Sequence, residues 1–225
     1  MKHIVVLSGA GVSAESGLKT FRDADGLWEG HNVMDVATPE GFAKNPELVL
    51  TFYNERRKQL LEVKPNSAHF DLAALEQDYK VTIITQNVDD LHERAGSTNV
   101  IHLHGELLKA RSIKNNDILP WNTDMKLGDL CAQGHQIRPH IVWFGEAVPM
   151  IDEAIEICKT ADILIIVGTS MQVYPAAGLK DFVKSGTPIF YIDPKPADIH
   201  DKYVTTIKEK ASTGMKTVIK ALSSQ

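Results

Sequence analysis

Short runs of apolar, mostly β-branched residues recur along the chain at positions 4–7, 80–84, 163–167 and 189–192. None alternates with polar residues, which is the pattern of strands covered on both faces, as in parallel sheets. Two weaker strands are expected at 100–103 and 140–144. Between the runs, apolar positions fall at helical spacing. The segment 46–62 has Leu48, Phe52, Leu60 and Leu61 apolar and Asn54, Glu55, Arg56, Arg57 and Lys58 polar, and 68–77, 151–159 and 176–184 read likewise. Residues 14–17 are too short a stretch to assign. Strands and helices in alternation predict an α/β fold, a Rossmann-like parallel sheet with helices on both faces.

The residues that close each strong strand point toward chemistry. The first runs into Ser8-Gly9-Ala10-Gly11-Val12-Ser13, the second into Thr85-Gln86-Asn87-Val88-Asp89, the third into Gly168-Thr169-Ser170, and the fourth ends at Asp193-Pro194. In a parallel sheet these ends share one edge, and ligands bind in the crevice outside it. Glycines, amides, hydroxyls and a carboxylate gathered there suit a ligand with phosphates and ribose. Residues 106–138 break the pattern: they are polar and rich in turn residues, and they read as an insertion off the main sheet.

Composition changes this picture only by exclusion. Hydrophobic residues are 43 % of the 225, enough for a globular core. A net charge of −5 speaks against a nucleic-acid binder. Two cysteines, Cys131 and Cys158, are too few for a disulfide scaffold. No apolar run reaches the length of a membrane span, and positions 4–7 are too short for a signal peptide. A cytoplasmic protein of a reducing compartment is expected, with neither nucleic acid nor membrane as partner.

Gly9-Ala10-Gly11-Val12-Ser13-Ala14 fits the dinucleotide fingerprint with alanine in the last place. Glycines let the backbone approach a pyrophosphate, and a helix start offers free N–H groups. A tight strand-to-helix turn without a ligand carries the same letters. A dehydrogenase would add a second strand ending in an acid about 20 residues on. The stretch 20–28 reads instead as a loop holding Phe21, Arg22 and Trp28, so hydride transfer is disfavoured while a bound dinucleotide is not.

Taken in order, these segments resemble the sirtuin family of NAD-dependent protein-lysine deacylases. Gly9-Ala10-Gly11-Val12-Ser13 resembles the family's GAGxS turn, with Thr20-Phe21-Arg22 following at its spacing. Thr85-Gln86-Asn87-Val88-Asp89 is similar to TQNxD, and His102-Leu103-His104-Gly105 to HxHG. Val142-Trp143-Phe144-Gly145-Glu146 resembles the family's substrate-binding segment, and Gly168-Thr169-Ser170 its GTS turn. The resemblance runs from about residue 4 to 195. It implies a Rossmann domain joined to a smaller module, with NAD and acyl-lysine meeting between them. On this likeness Gly9, Ala10, Gly11 and Ser13 hold the pyrophosphate. Phe21 shields the reacting ribose face and Arg22 sits by the phosphates. Gln86, Asn87 and Asp89 line the ribose and nicotinamide pocket, and Asn87 is counted with the catalytic residues. His104 is the general base, while His102, two residues earlier, points to the opposite face of a strand. Gly168, Thr169, Ser170 and Asp193 hold the adenosine side; most members carry Asn at this last place. Val142, Phe144, Gly145 and Glu146 receive the peptide as an added strand. Nicotinamide and O-acyl-ADP-ribose are the implied products. Two other readings stay open, protein ADP-ribosylation by the same first step and an NAD- or ADP-ribose-binding module without turnover. His104 favours the enzyme.

Tyr53 and Arg56 stand three residues apart and so share a helix face. They resemble the Tyr-x-x-Arg of the sirtuin subgroup that removes acidic acyl groups, and Ala24 matches a small residue of that subgroup. The resemblance implies removal of succinyl, glutaryl or malonyl groups, with acetyl as a second activity. The plainer reading makes Arg56 one more solvated charge beside Arg57 and Lys58. His31, His69 and His92 are expected on surfaces or in local hydrogen bonds, and Trp28 and Trp143 in packing.

Most sirtuins also hold a structural zinc on two cysteine pairs after HxHG. Here Arg111-Ser112-Ile113-Lys114-Asn115 stands where the first pair would fall, and Cys131 is alone in the place of the second. Cys131, His135 and His140 lack a fourth ligand for a closed site. No zinc is expected, and the insertion is expected to pack around Ile113, Ile118, Leu119 and Trp121. The expected organisation is a monomer with an NAD-binding domain of 1–28, 80–105 and 139–225. Its small module is made of a helical insertion, 29–79, and the degenerate ribbon, 106–138.

Overall fold

The computed structural model describes residues 1–19, 27–115 and 117–223. In chain order it begins with β1 (His3–Ser8), the one-turn helix α1 (Gly11–Ala14), and a short ladder of β2 (Leu27–Trp28) and β3 (His31–Asn32). Helices α2 (Val33–Val36), α3 (Pro39–Lys44), α4 (Pro46–Glu62) and α5 (Ser67–Ala74) follow, the last continuing as a 3-10 turn over Leu75–Gln77. Next come β4 (Lys80–Thr85), α6 (Leu91–Arg94), β5 (Val100–His102), β6 (Gly105–Ser112), β7 (Ile118–Pro120) and β8 (Ile137–Ile141). The chain closes with α7 (Ile151–Cys158), β9 (Ile163–Val167), a 3-10 segment (Ala176–Phe182), β10 (Ile189–Ile192), β11 (Val204–Ile207) and α8 (Ala211–Leu222). No described helix is long and apolar enough to cross a membrane.

The main sheet is six-stranded and parallel, in the order β11-β10-β9-β1-β4-β5. Strand periodicity sorts its residues between two cores. Ile4, Val6, Ile83 and Ile165 face Ala68, Leu72, Met215 and Val218 of α5 and α8. Val5, Leu7, Leu164 and Ile166 face Ala154, Cys158 and Leu179 of α7 and the 3-10 segment. Every residue of β1, β9 and β10 is buried, which accounts for their unbroken apolar runs.

Several expectations need correction. The strand expected at 140–144 is Ile137–Ile141; beyond it the backbone leaves the ladder, with Val142 N–H donating to His104 O and Phe144 N–H to Ala37 O. The helix expected at 176–184 is a 3-10 segment with Gly178, a poor helix former, inside it. Residues 67–77, expected within the helical insertion 29–79, pack on the main sheet. Residues 106–138 contribute to an antiparallel sheet, β7-β6-β8, whose alternation is broken by a register shift between Glu106 and Ala110. Pro139–Ile141 belong to that sheet and not to the main one.

The small module packs around Leu50, Ala110, Met125, Cys131 and Ile137, with Leu119 and Trp121 against them. Ile113 and Ile118, expected in that core, are instead 49 % and 52 % exposed. Helix α4 fastens the module through polar side chains. Asn54 Nδ2 donates to Met125 O at 2.8 Å, and Met125 N–H returns to Asn54 Oδ1 at 2.8 Å. Arg57, expected among solvated charges, is 1 % exposed. Its Nε donates to Leu107 O at 3.1 Å and its Nη1 to Asn54 Oδ1 and Thr123 O at 2.7 and 3.3 Å. Leu61, expected on the apolar face of α4, points outward at 52 % exposure. Asn54→Ala removes three of these hydrogen bonds and strands the backbone of Met125. We expect it to lower unfolding free energy in urea by about 2–4 kcal/mol; an unchanged midpoint would mean the module is fastened elsewhere.

Candidate active site

The turns after β1 and β9 meet backbone to backbone. Gly11 N–H donates to Gly168 O at 2.8 Å and Gly9 N–H to Val167 O at 3.1 Å. A Cβ on Gly11 would stand 2.8 Å from Gly168 Cα, and one on Gly168, at φ +65°, 2.2 Å from Val12 N. Side chains are therefore excluded here by the protein itself. Val12 and Ser13 N–H groups close the one-turn helix onto Gly9 and Ala10. The free helix-start N–H groups expected at this turn are thus mostly engaged; among the described residues, that of Ala10 is not.

Behind the turn lies a buried polar chain. Asn66 N–H donates to His69 Nδ1 at 3.3 Å, which leaves the proton on Nε2, 3.4 Å from Ser13 Oγ. Asn87 Nδ2 donates to the same hydroxyl at 3.1 Å, and Ser13 passes its own proton to Asp89 Oδ2 at 3.0 Å. The other Asp89 oxygen accepts from Leu91 N–H at 3.2 Å. Burial pushes Asp89 up to about 6, against the lowering effect of these two donors. His69 and His92, expected on surfaces or in local bonds, are both fully buried, 5.0 Å apart, with His92 Nε2 on Ser8 Oγ at 2.9 Å. The available sequence signal was Asn66 followed three residues later by His69, a reciprocal cap at the start of α5.

Consecutive carbonyls orient the two histidines of the HxHG segment. His104 Nδ1 lies 3.0 Å from Gln86 O, and His102 Nδ1 lies 3.1 Å from Asn87 O. A carbonyl only accepts, so each Nδ1 carries a proton and His104 Nε2 keeps its lone pair. Burial lowers the pKa of half-buried His104, although the Gln86 carbonyl pulls the other way. Gln86 Nε2 reaches across to Thr169 Oγ1 at 3.1 Å, joining the turns after β4 and β9. Tyr191 donates to Thr169 O at 3.0 Å, and Ser170 is half-buried. Asp193 is buried and accepts from Lys195 N–H at 2.8 Å.

A second cluster adjoins this one through the segment after β8. Trp143 Nε1 donates to the buried Tyr53 hydroxyl at 2.9 Å, and burial drives the Tyr53 phenol well above its ordinary value. Tyr53, Phe52 and Trp28 meet edge to face. The Arg56 guanidinium lies over the Phe52 ring at 4.5 Å, with Nη2 on Glu55 at 3.1 Å. Its Nε and Nη1 are buried without a partner among the described residues. The carboxylate of Glu146 accepts from Arg111, from Arg138 and from Trp143 N–H at 2.7–2.9 Å, and Arg138 stacks on Trp143 at 3.7 Å. Gly145 is exposed, with open space where a Cβ would be. Phe21, Arg22 and Ala24 lie outside the described residues.

The zinc ribbon of the resemblance does not fit these residues. Cys131 is a single thiol, and Cys131, His135 and His140 do not converge within ligand distance of a common ion.

Comparison with known proteins places this architecture. A model of the Sir2 family matches residues 9–175. An NAD-dependent protein deacylase of Helicobacter pylori is 58 % identical over 99 % of this chain and 98 % of its own length. One of Bacteroides thetaiotaomicron is 53 % identical over 96 % of each. A solved Sir2 homologue in complex with NAD is 41 % identical, with a TM-score of 0.89, over 99 % of this chain and 90 % of that one.

The buried histidines make stability depend on pH. Burial holds His69 down at about 4 and His92 at about 3, against 6.5 when unfolded. Between about pH 6 and 4 the unfolded chain therefore binds two protons here that the folded one does not. Asp89, raised to about 6, binds one in the folded state that the unfolded chain lacks. The balance is one proton, so stability falls as pH drops, at about 1.4 kcal/mol per unit from these groups. We expect His92→Gln to flatten the urea-derived slope by about that amount; parallel curves for both proteins would show that His92 titrates normally.

Proposed function

The chain belongs to the Sir2 family and is an NAD-dependent protein deacylase, and we propose that it prefers lysines carrying acyl groups that end in a carboxylate. Succinyl-, glutaryl- and malonyl-lysine are the class, with acetyl-lysine a second substrate. The observation that carries this reading is Arg56, whose Nε and Nη1 are buried without an acceptor among the described residues. A desolvated guanidinium with open donors is costly unless an anion completes it. Tyr53 accepts from Trp143, so its own proton remains available to donate. Both side chains lie on one face of α4, against Phe52.

The crevice fits NAD in its donor set. Gly9, Ala10, Gly11 and Gly168 offer a wall of bare backbone, and amides and hydroxyls of Gln86, Asn87, Thr169 and Ser170 flank it. In this reading Ser13, Asp89 and Asp193 support that wall from beneath, because their side chains are already engaged within the protein. Bound NAD supplies a ribose carbon that releases nicotinamide and takes the acyl oxygen. His104 Nε2 then accepts the proton of a ribose hydroxyl, its tautomer held by the Gln86 carbonyl. The hydroxyl oxygen would bond the acyl carbon, the acyl carbon–nitrogen bond to lysine would break, and one water would complete the balance, so that O-acyl-ADP-ribose and free lysine leave. The peptide pairs with the 142–146 segment through carbonyls and Gly145, since the N–H groups of Val142 and Phe144 are in use. Glu146 holds that segment through Arg111 and Arg138 and is a positioning residue.

We expect His104→Ala to lower deacylation by roughly two to four orders of magnitude with little change in NAD affinity. Because burial depresses its pKa, wild-type kcat should hold down to below pH 6.5 before the acid limb begins. Near-normal turnover in the variant would assign the base elsewhere.

Acyl preference is tested on one peptide bearing each acyl group in turn. Two charge-assisted bonds to the distal carboxylate contribute about 1.5–3 kcal/mol each. Arg56→Met should therefore lower kcat/KM for succinyl-lysine by about ten- to 150-fold and leave acetyl-lysine nearly untouched. A wild type that prefers acetyl-lysine, or an equal fall for both substrates, overturns the assignment.

A further inference from the structure

On the outer side of the HxHG connector three side chains of metal-ligand type converge: Glu93 of α6, His102 at the end of β5 and Glu106 of β6. One ligand atom from each lies within 4.8 Å of the other two, and no other such trio occurs among the described residues. We propose that these residues form a site for a divalent transition metal of the zinc class, separate from the crevice and from the absent cysteine ribbon.

His102 Nε2 stands 2.6 Å from Glu93 Oε1 and 3.9 Å from Glu106 Oε1. The opposite ring nitrogen is fixed by the Asn87 carbonyl at 3.1 Å, so the Nε2 lone pair faces the carboxylates. Metal-bound histidines are commonly oriented by such a second bond. A lone pair and a carboxylate oxygen at 2.6 Å repel unless a cation lies between them. In the metal-free protein that cation is a proton; a metal ion takes its place and the proton goes to solvent. Tetrahedral zinc with bonds of about 2.0–2.1 Å keeps its ligand atoms roughly 3.3 Å apart. Glu93 then recedes and Glu106 closes by somewhat more than half an ångström each. Both carboxylates have room to do so, at 39 % and 24 % side-chain exposure. Lys109 pairs with the other oxygen of Glu106, leaving Oε1 turned toward the histidine. Water completes the coordination.

The three ligands come from both sheets. β5 belongs to the parallel sheet and β6 to the small antiparallel one, and the short link between them carries His104. A bound ion would cross-link main domain and small module at that link, in a protein whose module has one cysteine in place of two pairs.

Untagged, metal-free protein titrated with zinc and with cobalt tests this by calorimetry, thermal melting and the visible cobalt spectrum. We expect one equivalent bound and a raised Tm. Glu106→Gln keeps the His102–Glu93 pair and should weaken binding at least about tenfold; Glu93→Gln with Glu106→Gln should abolish it. Cys131→Ser should bind as wild type does. Absence of binding, equal affinity in the double variant, or loss of binding in Cys131→Ser each overturns the proposal.

Discussion

The crevice depends on a contact that tolerates no side chains. The turns after β1 and β9 lie with Gly9 and Gly11 against Gly168, at distances where a methyl group on any of them would collide with backbone. Two hydrogen bonds lock the contact. The register of the parallel sheet, with Ser8 opposite Val167 and Thr85, then carries the turn after β4 to the same place. Gln86 reaches Thr169, Asn87 reaches Ser13, and the Gln86 carbonyl fixes His104. A wall of bare backbone and an imidazole held in one tautomer both follow from one close approach of backbones.

Helix α4 does two jobs with neighbouring pairs of residues. Asn54 and Arg57 grip the small module by its backbone, at Met125, Leu107 and Thr123. Tyr53 and Arg56, one position earlier and so turned by about 100°, present a phenol bonded to Trp143 and a guanidinium over Phe52. The grip that folds the module without a cysteine ribbon thereby also orients the pair proposed to read the acyl group. The Arg138–Trp143 stack and the Glu146 ion pairs hold Trp143, the hydrogen-bond partner of Tyr53, in place.

The segment that lacks the two cysteine pairs of the resemblance is also the one whose periodicity is hardest to read. Uninterrupted apolar runs located β1, β4, β9 and β10, because strands buried on both faces need apolar residues at every position. Residues 106–138 read as an irregular insertion, although β6 and β7 lie there, since a bulge between Glu106 and Ala110 breaks the period of two. β11 and α8 went unassigned even though Met215, Val218 and Leu222 close one core.

For the site, the residue types and their order along the chain brought forward the crevice, the histidine of HxHG and the Tyr53–Arg56 pair as candidates. These are local signals: glycine at a strand end, amides after another, two side chains on one helical face. Which charges are buried was not legible. Arg56, Arg57 and Lys58 are adjacent and chemically alike, yet Arg57 lies inside on backbone carbonyls, Arg56 is half-buried over Phe52 and Lys58 is exposed. His69 and His92 likewise looked no different from surface histidines. Whether a polar group meets water or protein is set by elements distant in sequence, here β6, the loop at Thr123 and the turn after β1. Desolvation and hydrogen-bond partners belong to the packed structure, so the sequence by itself determined which groups could do chemistry, and only the tertiary structure decided their charge, their proton and their neighbours.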